Sequence, residues 1–401
     1  MMRGNHWVGR VLAVVLPLLI AQSARAQDGG DGRDIEAMAA ALRGATILDT
    51  DKYRPVAVLD GCDVRDVPRA PPDHVPEPLA EALAAARRYS EAQQGVSLLV
   101  ARDGRLLHES YTGEAGPETL TTSYSMMKTV TALGVGLAIE RGLIDGVKTP
   151  VGDHLAGWAD DPRGDIALER FLTMSSGLKL YSMAGGDRES QRLVLARDIN
   201  AVAMEHPLVK DPGTVFRYNN ADAQLAGAVA HEAVQDAGYA GFSAFLEDTL
   251  WCPLGNEEAH LWLDREGGSP HFAMGLHARG RDWLRIGELI RRRGRVGQTQ
   301  VVPADWIDAM TAPSDANPRY GYLIWRGTPW SAERRYSPDN PLTVAHKDPY
   351  RADDVVFLDG FGGQRVYVVP SAGLTVVRTG FVNFQYDDSV IVNTLLAALE
   401  P

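Results

Sequence analysis

Apolar residues recur along the chain with two different periods, and the changes of period divide it into elements. Leu79 to Tyr89, rich in alanine, predicts a short helix. Val96 to Ala101 and Leu106 to Tyr111, joined at Asp103-Gly104, predict a β-hairpin. The clearest helical stretch is Thr121 to Gly142. Its apolar face runs through Val130, Leu133, Leu137 and Ala138, and Gly142 suits the position that stops a helix. From about 150 to 270 the pattern reads as loops and helices, the latter over 168–174, 188–203, 221–234 and 242–250. A further helix from Arg281 carries Trp283, Leu284, Ile286, Leu289 and Ile290. The chain then turns β-rich, with strands at 355–358, 365–369 and 374–378, a turn at Pro370 to Gly373, and a closing helix over 389–399.

The order is strands, a helical block, strands and a last helix. It predicts an α/β domain whose sheet draws on both ends of the chain, with a helical region inserted between them. The corresponding boundaries are 79–150 and 271–401 for the α/β domain and 151–270 for the insertion. Residues 27–78, with Pro68, Pro71, Pro72, Pro76 and Pro78, read as an extension lying over the body. Residues 1–26 read as a secretory signal: Arg3 and Arg10, an apolar run from Val11 to Ala21, and an A-x-A site at Ala24-Arg25-Ala26. That run is shorter than the ~20 residues a spanning helix needs, so no stable membrane insertion is expected after cleavage. The expected location is outside the cytoplasm, secreted or periplasmic.

A formal charge of −12 argues against nucleic acid and anionic membrane surfaces as partners. Oligomeric state is not legible. Cys62 and Cys252 can pair in an oxidising compartment or stand as two unrelated thiols. Basic residues are almost all arginine; with only six lysines in the chain, a lysine inside a motif carries more weight.

Ser125-Met126-Met127-Lys128 places a hydroxyl at a helix start and an amine one turn later, on the same face. A serine attacks a carbonyl only when a neighbour takes its proton, and a lysine can do that when burial lowers its pKa. Ser176-Gly177-Leu178-Lys179 repeats the pattern but is interrupted by glycine and followed by loop residues. Tyr218-Asn219-Asn220 is the only Y-x-N in the chain. The phenol can relay a proton and the Asn220 amide can hold both the lysine and a substrate carbonyl, while Asn220 also suits the cap of the helix that follows. In Gly360-Phe361-Gly362-Gly363-Gln364 the glycines let backbone approach a ligand closely, and a strand edge can offer an N–H to an oxyanion. His206, His271, His277 and His346 could line the cleft, but are expected in surface or capping roles. Trp283, Trp306 and Trp325 are expected to serve as core or cleft-wall aromatics, and Asp282 to support the helix it begins.

Taken together, the three elements resemble the penicillin-recognising serine hydrolases, which carry S-x-x-K, then Y-x-N or S-x-N, then K-T-G. That group takes in class C β-lactamases, D-alanyl-D-alanine carboxypeptidases, related esterases and 6-aminohexanoate-dimer hydrolases. The elements stand in that order, about 90 and about 140 residues apart. Residues 172–178, 250–255 and 360–380 also look like the family, and the resemblance runs over roughly 80–400. It implies a β-lactamase/transpeptidase-like fold, an antiparallel sheet flanked by helices with an inserted all-helical domain. It implies Ser125 as nucleophile, Lys128 and Tyr218 as acid/base partners, and Asn220, Gly360, Phe361 and Gly362 at the substrate and oxyanion positions. No metal or organic cofactor is implied. If Gly360 stands at the glycine of K-T-G, Leu358 and Asp359 take the lysine and threonine positions. A leucine brings no charge there, and an aspartate is expected to repel a substrate carboxylate. The Gly-x-x-Gly-Gln form looks closer to the 6-aminohexanoate-dimer hydrolases and esterases. The implied substrate is a small ester or amide; the alternatives are a β-lactamase or D-alanyl-D-alanine carboxypeptidase, or a non-catalytic binder of the same fold.

Overall fold

The computed structural model describes residues 31–181, 187–338, 340 and 342–400. The expected secretory signal, residues 1–26, lies outside them. Among the described residues, fourteen strands occur in chain order. β1 (Val56–Leu59), β2 (Gly95–Arg102), β3 (Arg105–Tyr111), β4 (Thr121–Thr122), β5 (Ala259–Trp262) and β6 (Leu276–Ala278) precede the small hairpin β7 (Arg295–Val296) and β8 (Thr299–Gln300). β9 (Trp325–Arg326), β10 (Glu333–Arg335), β11 (Thr343–Ala345), β12 (Val356–Gly360), β13 (Gln364–Val369) and β14 (Leu374–Gly380) complete them. The main sheet is antiparallel, in the order β3-β2-β14-β13-β12-β9, so strands from both ends of the chain meet at β2 and β14.

Twelve helices occur among the described residues. They are α1 (Asp31–Ala41), α2 (Glu77–Ala92), α3 (Met127–Glu140), α4 (Leu168–Leu172), α5 (Arg188–Leu195), α6 (Ile199–Met204), α7 (Asn220–Asp236), α8 (Phe242–Leu246), α9 (Cys252–Leu254), α10 (Gly280–Arg291), α11 (Ala304–Thr311) and α12 (Asp388–Leu399). Alternation along the central strands sends Leu99, Val366 and Thr375 to one sheet face. There Gly280 and Gly287 let α10 approach: a Cβ on Gly287 would stand 2.5 Å from Thr375 Cγ2. The opposite face carries Arg365 and Arg378, which reach α12 and the end of α2. Both faces are covered, which explains why β2, β13 and β14 read as nearly continuous apolar runs.

The structure departs from the pattern-based expectation where tertiary contacts override local periodicity. The helix expected from Thr121 begins at Met127, because Thr121 and Thr122 pair with Ala278 and His277 of β6. The stretch 188–203 is two helices: Asp198 accepts from the Ala201 N–H at 2.9 Å and starts α6 as a cap. Strands β1, β5, β6 and β4 form a second sheet in the order β1-β5-β6-β4, tying the extension to the body. Cys62 and Cys252 form a disulfide across 190 residues, fixing the same extension a second time. The histidines were expected in surface or capping roles; instead His206, His271, His277 and His346 are all buried, His206 bordering the cavity beside Ser125 and His271 stacking on Trp262 with centroids 3.6 Å apart. Asp282 does support its helix, accepting from the N–H groups of Arg279 and Glu257. Among the described residues, no helix is long and apolar enough to cross a membrane.

Candidate active site

Ser125 sits in a single tight turn, Tyr124–Met126, between β4 and α3. Tyr124 has φ +44°, a left-handed conformation that a tyrosine keeps only where its surroundings hold it. Its ring packs with Ile47 and Val96 and lies edge-on to Phe361, centroids 6.0 Å apart. This kink delivers Ser125 to the start of α3. The helix is apolar all round and buried from Met127 to Ala138, as a helix enclosed by protein on every side must be. Gly134 and Gly136 give Phe242 and Trp306 room to pack against it.

One turn on, the Lys128 amine lies inside this apolar wall, 1% exposed. Its Nζ stands 2.9 Å from Ser125 Oγ, 2.8 Å from Asn220 Oδ1 and 2.8 Å from the Ala273 carbonyl oxygen. Burial pushes its pKa down to about 7, and the negative charge of Asp359 opposes that shift. As an ammonium the group can donate to all three oxygens; as a neutral amine it can serve two of them. Two N–H bonds can serve Asn220 Oδ1 and Ala273 O, which only accept, and the lone pair then faces the Ser125 hydroxyl.

Tyr218 closes the group from another direction. Its ring lies under Lys128 Nζ, 4.9 Å from centroid to nitrogen. Trp325 stacks on that ring and Tyr336 tilts against it, so the phenol has one orientation. Burial first, and then the charge of Asp359, hold its pKa well above the ordinary phenol value. The division of labour in Tyr218-Asn219-Asn220 differs from expectation. Asn219 is the cap of α7, accepting from the Ala221 N–H at 3.1 Å, which frees Asn220 in the first turn to reach Lys128.

The end of β12 passes directly beside the serine turn. A Cβ on Gly360 would fall 2.5 Å from the Ser123 carbonyl oxygen, so only glycine permits the approach. Phe361 and Ser125 wall the same cavity. Gly362 follows at φ +75°, where a Cβ would strike Val382.

The expected repulsion by Asp359 does not survive the structure. Asp359 is 4% exposed and faces inward. Arg334 donates to its Oδ2 at 2.9 Å, the Tyr336 hydroxyl does so at 2.7 Å, and Arg365 pairs with its other oxygen. Asp388 joins the same two arginines, making a buried quartet of balanced charge behind Tyr218. Leu358, expected at the lysine position, is fully buried in the core and brings no charge to the site.

Ser176 and Lys179 do not form a second centre. Ser176 donates to Asp222 at 2.7 Å, and Lys179 lies over the ring of Tyr181. Sequence patterns missed the Ala273 carbonyl, which has no side-chain signature, and the Tyr336–Arg334 support behind Tyr218. They also missed the wall supplied by the N-terminal extension. The one available signal was an acid beside Gly360, which cannot be buried in an apolar strand without partners. Among the described residues, no group of His, Cys, Asp and Glu is placed to hold a metal ion.

Beside Ser125 opens a cavity of about 130 Å³, bordered by Tyr124, Asn219, Asn220, Phe361, α5 and the extension. A strand-delivered glycine, an S-x-x-K turn and a Y-x-N converging on one cavity within this three-layer fold define a serine-hydrolase-type site. The profile of the beta-lactamase family matches residues 80–399. The chain belongs to the beta-lactamase family, whose members are generally serine hydrolases. Solved structures of similar fold include a Bacillus anthracis protein assigned as a 6-aminohexanoate-dimer hydrolase, 16% identical with a TM-score of 0.66, covering 88% of this chain and 91% of that one. A penicillin-binding protein homologue from Caulobacter crescentus is 15% identical with a TM-score of 0.59, covering 84% and 100%. A family VIII carboxylesterase is 16% identical with a TM-score of 0.56, covering 83% and 98%. At these identities the likeness is one of fold. No curated protein matches the chain in sequence.

Proposed function

We propose that the chain is an exported serine hydrolase that cleaves an ester or amide bond of a small substrate through an acyl-enzyme on Ser125. The observation that carries this reading is the Lys128 amine, buried, 2.9 Å from Ser125 Oγ and lowered to about 7. An amine of that pKa is a base at neutral pH, whereas an ordinary lysine, with a pKa near 10.4, would be neutral in fewer than ~1 molecule in 1,000.

Ser125 Oγ attacks the carbonyl carbon as its proton passes to the Lys128 lone pair. The backbone N–H groups of Ser125 and Phe361 receive the oxyanion. Collapse of the tetrahedral intermediate expels the alcohol or amine, which takes a proton through Tyr218. A raised phenol pKa keeps that proton in place until it is needed, which supports Lys128 as the base and Tyr218 as the relay. Water, deprotonated by the same pair, then releases the acid and restores Ser125. Export is supported by the A-x-A site and by the Cys62–Cys252 disulfide, since disulfides persist in oxidising compartments.

The test is covalent labelling with a fluorophosphonate probe, read by intact mass. Wild type is expected to gain one adduct and Ser125→Ala none. Equal labelling of both proteins, or none of wild type, would refute the nucleophile. A nitrocefin assay beside p-nitrophenyl acetate and butyrate separates the β-lactamase alternative; rapid nitrocefin turnover without ester cleavage would favour it.

A further inference from the structure

The cavity beside Ser125 is not completed by the segment that matches the family. Residues before position 80 supply a wall of it: Ala39 in α1, Leu42 just beyond, and Tyr53. Leu42 and Tyr53 pack with Trp262 in a small cluster of their own, joined by Met38, Val194 and Met274. This arm is held in place from several sides. The Ile47 carbonyl accepts from the Thr122 N–H at 2.9 Å, three residues before the serine. β1 pairs with β5, and Cys62 is bonded to Cys252.

The chemistry of the wall is one-sided. Among the described residues, the lining includes no Asp, Glu, Lys or Arg, and the exposed lining is mainly apolar. The imidazole in this lining, His206, is buried, and burial lowers its pKa, which favours the neutral ring at pH 7. An ionised group entering the cavity would lose its hydration and meet no counter-charge. An alkyl chain or an aromatic ring would lose only water contact, which favours entry.

We infer that the N-terminal arm, through Ala39 and Leu42, is a specificity element that completes a subsite for an uncharged apolar arm of the substrate. This rests on the reading of Ser125 as nucleophile for the position of the scissile bond. The apolar arm can belong to the acyl group or to the alcohol, and two substrate series distinguish them: p-nitrophenyl alkanoates of two to eight carbons, and alkyl acetates of the same lengths. In one of the two series, kcat/KM of the wild type rises by roughly threefold to fourfold for each methylene the cavity covers. Ala39→Phe fills the cavity and removes that gain, so kcat/KM no longer rises with chain length. Leu42→Ala widens it and moves the optimum to longer chains. These opposite displacements of chain-length preference are not expected of a wall that serves folding alone. No length dependence in either series, or the same dependence in all three proteins, overturns the inference.

If no ester is cleaved and no fluorophosphonate adduct forms, the reading of Ser125 fails, and the subsite is judged by binding instead. Octan-1-ol is then expected to raise the melting temperature of wild type and not of Ala39→Phe. An equal rise in both proteins, or in neither, overturns the subsite as well.

Discussion

Replacing Asn220 by Asp tests the electrostatics of the site with one atom's change. The Asn220 Oδ1 atom lies 2.8 Å from Lys128 Nζ, so the substitution sets a carboxylate against an amine buried in apolar surroundings. An opposite charge at that range stabilises the ammonium and raises the lysine pKa by about one to three pH units. In wild type, Lys128 loses its proton near pH 7, so kcat/KM should rise with pH through about 7 and level off above it. In Asn220→Asp the rise should move to roughly pH 8–10. If the new midpoint is near 9, the free-base fraction at pH 7 falls from about half to about one in a hundred, a loss on the order of 50-fold that alkaline pH restores. The assay is kcat/KM for a p-nitrophenyl ester between pH 5.5 and 10, corrected for spontaneous hydrolysis. A midpoint that stays near 7 with a lower plateau, or one that moves toward acid, would refute Lys128 as the titrating base.

Other outcomes follow from the same contacts. Gly360→Ala forces β12 away from the Ser123 carbonyl oxygen and carries Phe361 with it, so kcat should fall on the order of 10²-fold or more while KM changes little. Steady-state kinetics beside a urea melt separates this from a general loss of structure. Asp388→Asn leaves Arg365 and Arg334 short of a buried counter-charge and should cost about 3–5 kcal/mol, read as a lower urea midpoint with an unchanged slope. Reducing the Cys62–Cys252 bond frees a loop of 190 residues, worth up to about 5 kcal/mol in the chain-entropy account. Dithiothreitol should therefore lower the melting temperature of wild type and leave a Cys62→Ser, Cys252→Ser variant unaffected.

Much of the fold was legible because local pattern and burial agree. The hairpin β2–β3, helices α10 and α12, and strands β12 to β14 lie within a residue or two of where periodicity puts them, and α2 runs three residues past its expected end, to Ala92. The stop of α3 is in the same class: Gly142, at φ +70°, receives the backbone where the apolar face ends. The strand β4 was not legible, since Thr121 and Thr122 are extended only because β6 is beside them. Nor was the second sheet, whose four short strands come from positions 56, 121, 259 and 276 onward. Short strands carry too few residues to display a period, and their pairing is decided by partners distant in the chain.

For the site, the residue types and their order along the chain were enough to nominate Ser125, Lys128, Tyr218 and the Gly360 segment. Only the tertiary structure decided which of Asn219 and Asn220 caps α7 and which meets the lysine. It alone decided that Asp359 points inward to two arginines and that the Ala273 carbonyl helps orient the amine. The reason is physical. A side chain's chemistry is inherent in its covalent structure, but its pKa and its direction are set by which dipoles, charges and apolar surfaces surround it, and those arrive from remote parts of the chain.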